Sequence, residues 1–296
     1  MKKLLLTSVL GLLLIALAAC GSNDDTSGDG DSGKLAELKE AGTVKIGFAD
    51  EKPYAYEEDG ELKGAAVDIA KAVFKELGVE EVEGHLSEWD NLISGLNAEK
   101  FDVITAGMAI KPDRCENVAF GEPEMKYGEG MIVEKGNPLN LTSYKDIADN
   151  PDVTVAIMSG ATEIDYVQTE GVSEDQILAV PDIPASFSAV SSGRADVTTG
   201  TEMTVKMALE SAENDDLEFV SDFEQPNIEG VPSYGAAAFN QKHTDLVEAY
   251  NEKLKELKED GTVGELLEAN YFSAEGNSVD PSITTESVCS GDVYKD

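Results

Sequence analysis

From Thr43 onward, short β-branched runs alternate with amphipathic stretches, and this alternation limits the fold more than any other feature of the chain. Strands are expected at Thr43–Ala49, Phe101–Gly107, Glu129–Glu134, Val153–Met158, Gln176–Val180, Ala195–Thr199, Leu217–Phe223 and Gly235–Phe239. Helices are expected between them at Ala65–Leu77, Trp89–Ala98, Tyr144–Asp149, Glu163–Thr169, Ala185–Ser192 and Thr201–Ala212. In the first helix, Ile69, Val73, Phe74 and Leu77 fall on one face. Such alternation predicts an α/β fold, with parallel sheets covered by helices on both sides. About 260 structured residues are many for one core and comfortable for two lobes. Two more helices, Asp245–Glu259 and Val263–Tyr271, follow the last strand, so the chain is expected to return to the lobe in which it began.

In open α/β sheets, ligands sit outside the carboxyl ends of strands. Three such ends carry polar groups: Glu51 and Tyr54, Met108–Arg114, and Ser159–Thr162. They are expected to converge on one cleft. The Arg114 fork can grip a carboxylate with two parallel hydrogen bonds, which a lysine cannot do. A surface ion pair with one of the many acids is its plainer reading. Gly160-Ala161-Thr162 precedes a helix whose N–H groups, with the Thr162 hydroxyl, form a ready anion site; the plainer reading is a helix cap.

The ends of the chain bear on its location. Met1-Lys2-Lys3 is basic, Leu4 to Ala16 is a short apolar region, and Leu17-Ala18-Ala19-Cys20 closes it. This pattern is a secretory signal, too short for a stable membrane span. The LAAC box resembles the bacterial lipobox, in which the cysteine becomes the lipidated first residue. The polar stretch Gly21 to Gly33 then reads as a flexible tether of roughly 20 Å. The formal net charge of −37 argues against nucleic acid and anionic membrane surfaces as partners. It suits a saline exterior, where salt screens dense surface acid. With Cys20 assigned to lipid, Cys115 and Cys289 remain as an even pair in an oxidising compartment. They are expected to form a disulfide that pins the polar tail, Ser273 to Asp296, to the body. No metal set and no cofactor motif is expected, since only His85 and His243 could join the cysteines.

The succession GFADEKPYAY, DGELKGAAVDIAKAVFKELG, SEWDNLISGL and FDVITAGMAIKPDRCENVAF resembles the family-3 solute-binding proteins of ABC importers. The likeness runs from about Lys34 to Phe272. Arg114-Cys115, Ser143–Asp152 and Ile283–Cys289 are similar to the ectoine/hydroxyectoine-binding subgroup. The resemblance implies a two-lobed periplasmic-binding-protein-like fold of type II, hinged by two crossover segments near Met131–Lys135 and Tyr234–Ala237. It implies a division into residues 1–19 (signal), 20–36 (anchor and tether), 37–132 with 236–272 (first lobe), 133–235 (second lobe) and 273–296 (tail docked on the first lobe). The implied protein is a lipid-anchored monomer on the outer face of the cell membrane. It would close on a small zwitterionic solute and deliver it to ABC permease subunits, without enzymatic activity.

By the same resemblance the ligand site comprises Glu51, Tyr54, Trp89, Gly107, Ala109, Arg114, Gly160, Thr162, Glu163 and Thr201. Tyr54 and Trp89 would place aromatic faces against a flat cation, each contributing roughly 0.5–2 kcal/mol, and Glu51 would balance its charge. Three positions depart from the family pattern. Thr201 replaces the aspartate that usually holds an α-ammonium group, and Ala109 replaces a supporting serine. Ala109 also stands where the subgroup has a third aromatic, so Phe187 or Tyr234 would have to supply that wall. Glu163 replaces an asparagine. A receptor for a polar amino acid, with Glu202 restoring the ammonium site, is the alternative. A secreted dehydratase using Glu51 as general acid or base is a third reading.

Overall fold

The computed structural model describes residues 33–295. The expected signal peptide, the Cys20 anchor and most of the tether lie outside the described residues. Among the described residues, thirteen strands form two large sheets and a hairpin. In chain order the strands are β1 Thr43–Phe48, β2 Tyr56–Glu58, β3 Glu61–Lys63, β4 Glu81–Leu86, β5 Val103–Ala109, β6 Ala119–Phe120 and β7 Met125–Tyr127. They continue as β8 Glu129–Glu134, β9 Val155–Met158, β10 Ile177–Val180, β11 Val197–Thr201, β12 Leu217–Phe219 and β13 Ser233–Phe239. The helices are α1 Lys34–Ala41, α2 Ala65–Glu76, α3 Leu92–Asn97, α4 Pro112–Cys115, α5 Tyr144–Ala148 and α6 Glu163–Thr169. The remainder are α7 Ile183–Ser191, α8 Glu202–Ala212, α9 Thr244–Glu259, α10 Thr262–Ala269, α11 Ala274–Asn277 and α12 Thr285–Cys289.

The first sheet runs β4-β1-β5-β13-β6, with β7 also pairing β13; the second runs β10-β9-β11-β8-β12. The strands of strand–helix units are parallel, as expected: β1 with β4 and β5, and β9 with β10 and β11. The sheets are nonetheless mixed. β13 runs antiparallel to β5, and β8 runs antiparallel to β11 and β12. Both strands arrive directly from the other sheet, so no helical crossover turns them parallel.

Strand residues alternate between faces, so both faces of each sheet are packed. Val103 of β5 joins one core with Val73 and Phe74 of α2, while its neighbour Ile104 faces a second core with Leu92 and Leu96 of α3. Val155 and Ile157 pack on one side of the second sheet, and Ala156 and Met158 on the other. Ile69, Val73 and Phe74 are fully buried along the expected face of α2, each worth about 1.5–3 kcal/mol of burial. A polar insertion in this core is Glu124. It is 1% exposed, accepts a 2.6 Å hydrogen bond from the Tyr250 hydroxyl, and leaves its other oxygen without a partner.

The chain crosses between sheets at Gly128, between β7 and β8, and again between Phe219 and Ser233. The segments Met131–Lys135 and Tyr234–Ala237 fall largely inside β8 and β13, beside the crossings rather than at them. Gln225 ties the two crossings together: its amide accepts from Glu129 N and donates to Glu129 O, both at 2.8 Å. Helix α1 already begins at Lys34, whose ammonium pairs with Asp102 at 2.7 Å, so residues 34–36 are helical rather than tether. At the other end, Cys115 and Cys289 are bonded, with S–S 2.01 Å. The tail also lies against the first sheet's side through Asn277 Nδ2 to Lys126 O at 2.9 Å and Thr285 Oγ1 to Gly121 O at 2.6 Å.

Candidate functional site

The carboxyl ends of β1, β5, β9 and β11 surround a cavity with about 430 Å³ of empty space, the solvent at its mouth included. Nine of the ten expected site residues line it: Glu51, Tyr54, Trp89, Gly107, Ala109, Arg114, Thr162, Glu163 and Thr201. The tenth, Gly160, stands at the rim and contributes its carbonyl. Groups from the two sides touch across the space, so the molecule is in a closed arrangement. Lys111, before α4, pairs with Asp165 of α6, and Glu51 accepts a 2.8 Å hydrogen bond from Thr204 of α8.

Arg114 is placed by β5 and the short helix that Pro112 opens. It is 6% exposed. Nη1 donates to Ala109 O and Nη2 reaches across to Gly160 O, both at 3.0 Å. The Trp89 indole N–H donates to the same Gly160 carbonyl at 3.2 Å, and the guanidinium lies 5.8 Å from the Trp89 ring centre. Among the described residues no carboxylate comes within 4.0 Å of this guanidinium. A buried cation held only by carbonyls is electrostatically incomplete and prepared for an anion.

The acid side is richer than the sequence suggested. Glu51 sits in a tight loop closed by its own N–H to Ala55 O at 2.7 Å, and is 7% exposed. Burial pushes its carboxyl up to about 7, and the charge of Glu163 adds to the rise, against the Thr204 hydrogen bond and Arg114. Glu163 is 3% exposed and accepts from Thr162 Oγ1 at 3.3 Å. The Gly160–Thr162 turn therefore presents a carbonyl to Arg114 and a carboxylate to the cavity. Its threonine makes no cap hydrogen bond, and the anion seat expected there carries a negative charge of its own.

Glu129, at the start of β8, is a buried acid that sequence reasoning passed over. Burial, and then the neighbouring Glu163 charge, hold its carboxyl well above the usual carboxylate range. Glu202 does not restore an ammonium site: it pairs with Lys206 one turn along α8 and does not line the cavity. Thr201 does line it, and donates to Thr204 Oγ1 at 2.8 Å.

The aromatic walls are Tyr54, Trp89 and Tyr127. Tyr54 is wedged edge-on against Tyr127 and Phe272, with ring centres 5.2 and 5.0 Å away. Gly107 admits it: at φ +63° a Cβ there would meet Tyr54 Cδ1 at 2.3 Å. Ala109 leaves its wall low. Neither Phe187 nor Tyr234 compensates, since neither lines the cavity. The extra ring is Tyr127, whose hydroxyl donates to Gly107 O at 2.5 Å. Its signal in the sequence was only an aromatic two residues before a charged strand start.

The chain and its fold have known relatives. The model of the bacterial extracellular solute-binding proteins, family 3, matches residues 44–274. The chain is 37% identical over 261 residues to a probable amino-acid ABC transporter periplasmic-binding protein, y4tE, of Sinorhizobium fredii, covering 86% of each chain. Its structure is similar to that of EhuB in complex with hydroxyectoine, with a TM-score of 0.79, 36% identity, and coverage of 86% of this chain and 97% of that one. It is also similar to an ancestral amino-acid-binding protein described as a precursor of cyclohexadienyl dehydratase, with a TM-score of 0.68, 28% identity, and coverage of 81% and 100%. No helix among the described residues is long and apolar enough to cross a membrane.

Proposed function

Because the chain belongs to the family-3 bacterial extracellular solute-binding proteins, we propose that it receives an ectoine- or hydroxyectoine-type zwitterion for an ABC importer. The family serves as the substrate-binding component of such importers, in partnership with permease subunits. The single observation that carries the ligand class is the buried Arg114 guanidinium without an acid partner, set opposite buried Glu51 and Glu163 in one closed cavity. A ligand carboxylate on Arg114 gains charge-assisted hydrogen bonds of about 1.5–3 kcal/mol each. A flat cationic ring gains the Tyr54, Trp89 and Tyr127 walls, and its N–H groups satisfy Glu51. The hydroxyectoine complex of a relative that matches nearly its whole length supports this reading.

The second reading is a cationic amino acid, favoured by the two buried acids that line the cavity, Glu51 and Glu163. Calorimetry with ectoine, hydroxyectoine, arginine, glutamine and histidine separates the two. Saturable heat with ectoine or hydroxyectoine is the expected result; binding of glutamine or arginine with no ectoine response overturns it. Lipid anchoring at Cys20 on the outer face of the membrane belongs to the same proposal. Its check is incorporation of a labelled fatty acid that disappears in Cys20→Ala. Closure is proposed to bend the chain at Gly128 and within 220–232, where the two crossings lie side by side.

A further inference from the structure

The C-terminal tail reaches further than the first sheet. It is fixed there at Thr285, whose N–H donates to Glu122 Oε2 at 3.0 Å and whose hydroxyl donates to Gly121 O at 2.6 Å. It is fixed again at Cys289, bonded to Cys115 directly after Arg114. Val288, beside that cysteine, is 1% exposed. The chain nevertheless continues past the disulfide. Gly291, at φ +71°, turns it, and a short helical turn over Asp292–Tyr294 follows.

This last turn lies against the second crossing between the sheets. The Tyr294 hydroxyl donates to Pro232 O at 3.2 Å, and its ring centre is 6.2 Å from that of Tyr234. Gly291 meets the crossing so closely that a Cβ there would strike the Glu229 carboxylate. Tyr166 of α6 holds the same stretch of chain. Its hydroxyl donates to Gly230 O at 2.8 Å and lies 3.0 Å from Ser233 Oγ, in electrostatic reach of Tyr294. Ser233 opens β13 of the first sheet, whereas α6 packs with β9 of the second. A circuit results. Arg114 Nη2 donates across the cleft to Gly160 O, in the turn that precedes α6. From Arg114 the path runs through the disulfide to the tail, from Tyr294 to the crossing, and from Gly230 to Tyr166 and back along α6.

We propose that residues 291–294 are a strap that ties the helix carrying Arg114 to the second crossing, and through Tyr166 to α6, so that the tip of the tail lengthens the time the closed cavity holds its solute. This rests on the closure proposed above and not on the identity of the solute. Tyr294 is a positioning residue, since it does not line the cavity. Closure requires the crossing in one conformation, and groups bound to it from both of the bodies that it joins restrict its φ and ψ most. The disulfide and Thr285 already secure the tail to the first sheet, so the contacts of the tip add order at the crossing.

The test combines hydrogen exchange by mass spectrometry with stopped-flow release, on wild type, on a chain ended at Ser290, and on Tyr294→Phe. Ending at Ser290 keeps the disulfide and the Thr285 hydrogen bonds and removes only the tip. In ligand-free protein the shortened chain is expected to exchange the amides of 228–233 and of α6 about tenfold faster than wild type, within the range of coupling along packed networks. Release of hydroxyectoine is followed through Trp89, the single tryptophan and a wall of the cavity. It should be about tenfold faster in the shortened chain and about fivefold faster in Tyr294→Phe, with association changed less. A role confined to the first sheet would speed exchange beside the tail and leave α6 and the release rate at wild-type values; that result overturns the proposal. If saturating hydroxyectoine does not slow exchange at α6 of wild type, the closure or ligand reading falls and the ligand-free comparison decides. Faster exchange at α6 then supports the strap, and equal exchange overturns it. Where the shortened chain does not fold, Tyr294→Phe, which keeps the ring, is judged by the same readings.

Discussion

Glu124 gives a prediction that is independent of any ligand. Its carboxyl is buried in the first core, where burial drives its pKa up to about 7 against the opposing effects of the Tyr250 hydrogen bond and of Lys258. In the unfolded chain the same group titrates near 4.5. Between these values the folded state keeps a proton that the unfolded state has lost, so stability falls as pH rises through the window and levels off above about 7. The rise from 4.5 to about 7 is worth about 3 kcal/mol. Replacing the acid with an amide of the same shape removes the titration. Glu124→Gln should match wild type near pH 5 and exceed it by about 3 kcal/mol at pH 8. In a domain of this size that is a rise of about 6–12 °C in Tm. Scanning calorimetry from pH 5 to 8 on ligand-free protein reads the difference directly. General acid repulsion across a chain of net charge −37 also weakens the fold as pH rises. It acts on both proteins alike, so the comparison isolates the buried group. Parallel Tm–pH curves for the two proteins refute the reasoning.

Three other outcomes are expected. Arg114→Ala should lose at least about hundredfold in affinity for the zwitterion, from two lost charge-assisted hydrogen bonds, while circular dichroism stays that of wild type. Trp89→Ala should weaken a flat cyclic cation about tenfold and a linear amino acid less; equal losses in calorimetry count against the aromatic walls. Cys289→Ser opens a loop spanning 174 residues, for which loop entropy sets an upper bound of about 5 kcal/mol. Urea unfolding should show a lower midpoint, and an unchanged midpoint would show that the tail is held by its other contacts alone.

Those residues were legible because they follow strand ends in sequence. Glu51, Tyr54, Arg114, Thr162 and Thr201 each lie within a few residues of an apolar strand's carboxyl terminus, and the crevice rule needs nothing else. Glu129 and Tyr127 were not legible for two physical reasons. They come from the crossing between the sheets, which no local periodicity marks, and one buried acid among 59 acidic residues looks like the rest. Glu202 illustrates the opposite error: adjacent to Thr201 in sequence, it is turned by the start of α8 toward Lys206. Phe187 was misplaced because α7 directs it into a core with Ile183 and Val190. Strand β4 was missed because EVEGHL offers only Val82 and Leu86 as apolar side chains, and Leu86 is exposed; backbone pairing with β1 holds it as an edge strand. The β2–β3 hairpin did carry a signal, Asp59-Gly60 with φ of 56° and 79°, the dipeptide that such turns demand.

The same charges explain why closure should depend on ligand. Shutting the cavity removes Arg114, Glu51 and Glu163 from water, at an effective cost of several kcal/mol for each group that stays ionised. Protonation reduces that cost for the acids but not for the guanidinium. What the closed form gains by itself is modest. Arg114 to Gly160 O is a charge-assisted bond worth about 1.5–3 kcal/mol. The Lys111–Asp165 pair, with Asp165 well exposed, adds about 1 kcal/mol at most. These gains do not exceed the cost of burying groups that stay charged, so closure without a compensating solute is not favoured by them. A solute that supplies both an anion for Arg114 and a cation for the acids changes both sides of that balance at once. A surplus of only about 3 kcal/mol is then enough to shift the populations more than hundredfold toward the closed form. A solute bearing one charge leaves the opposite end of the cavity uncompensated, so the requirement for a zwitterion lies in the cost of closing as much as in the contacts made.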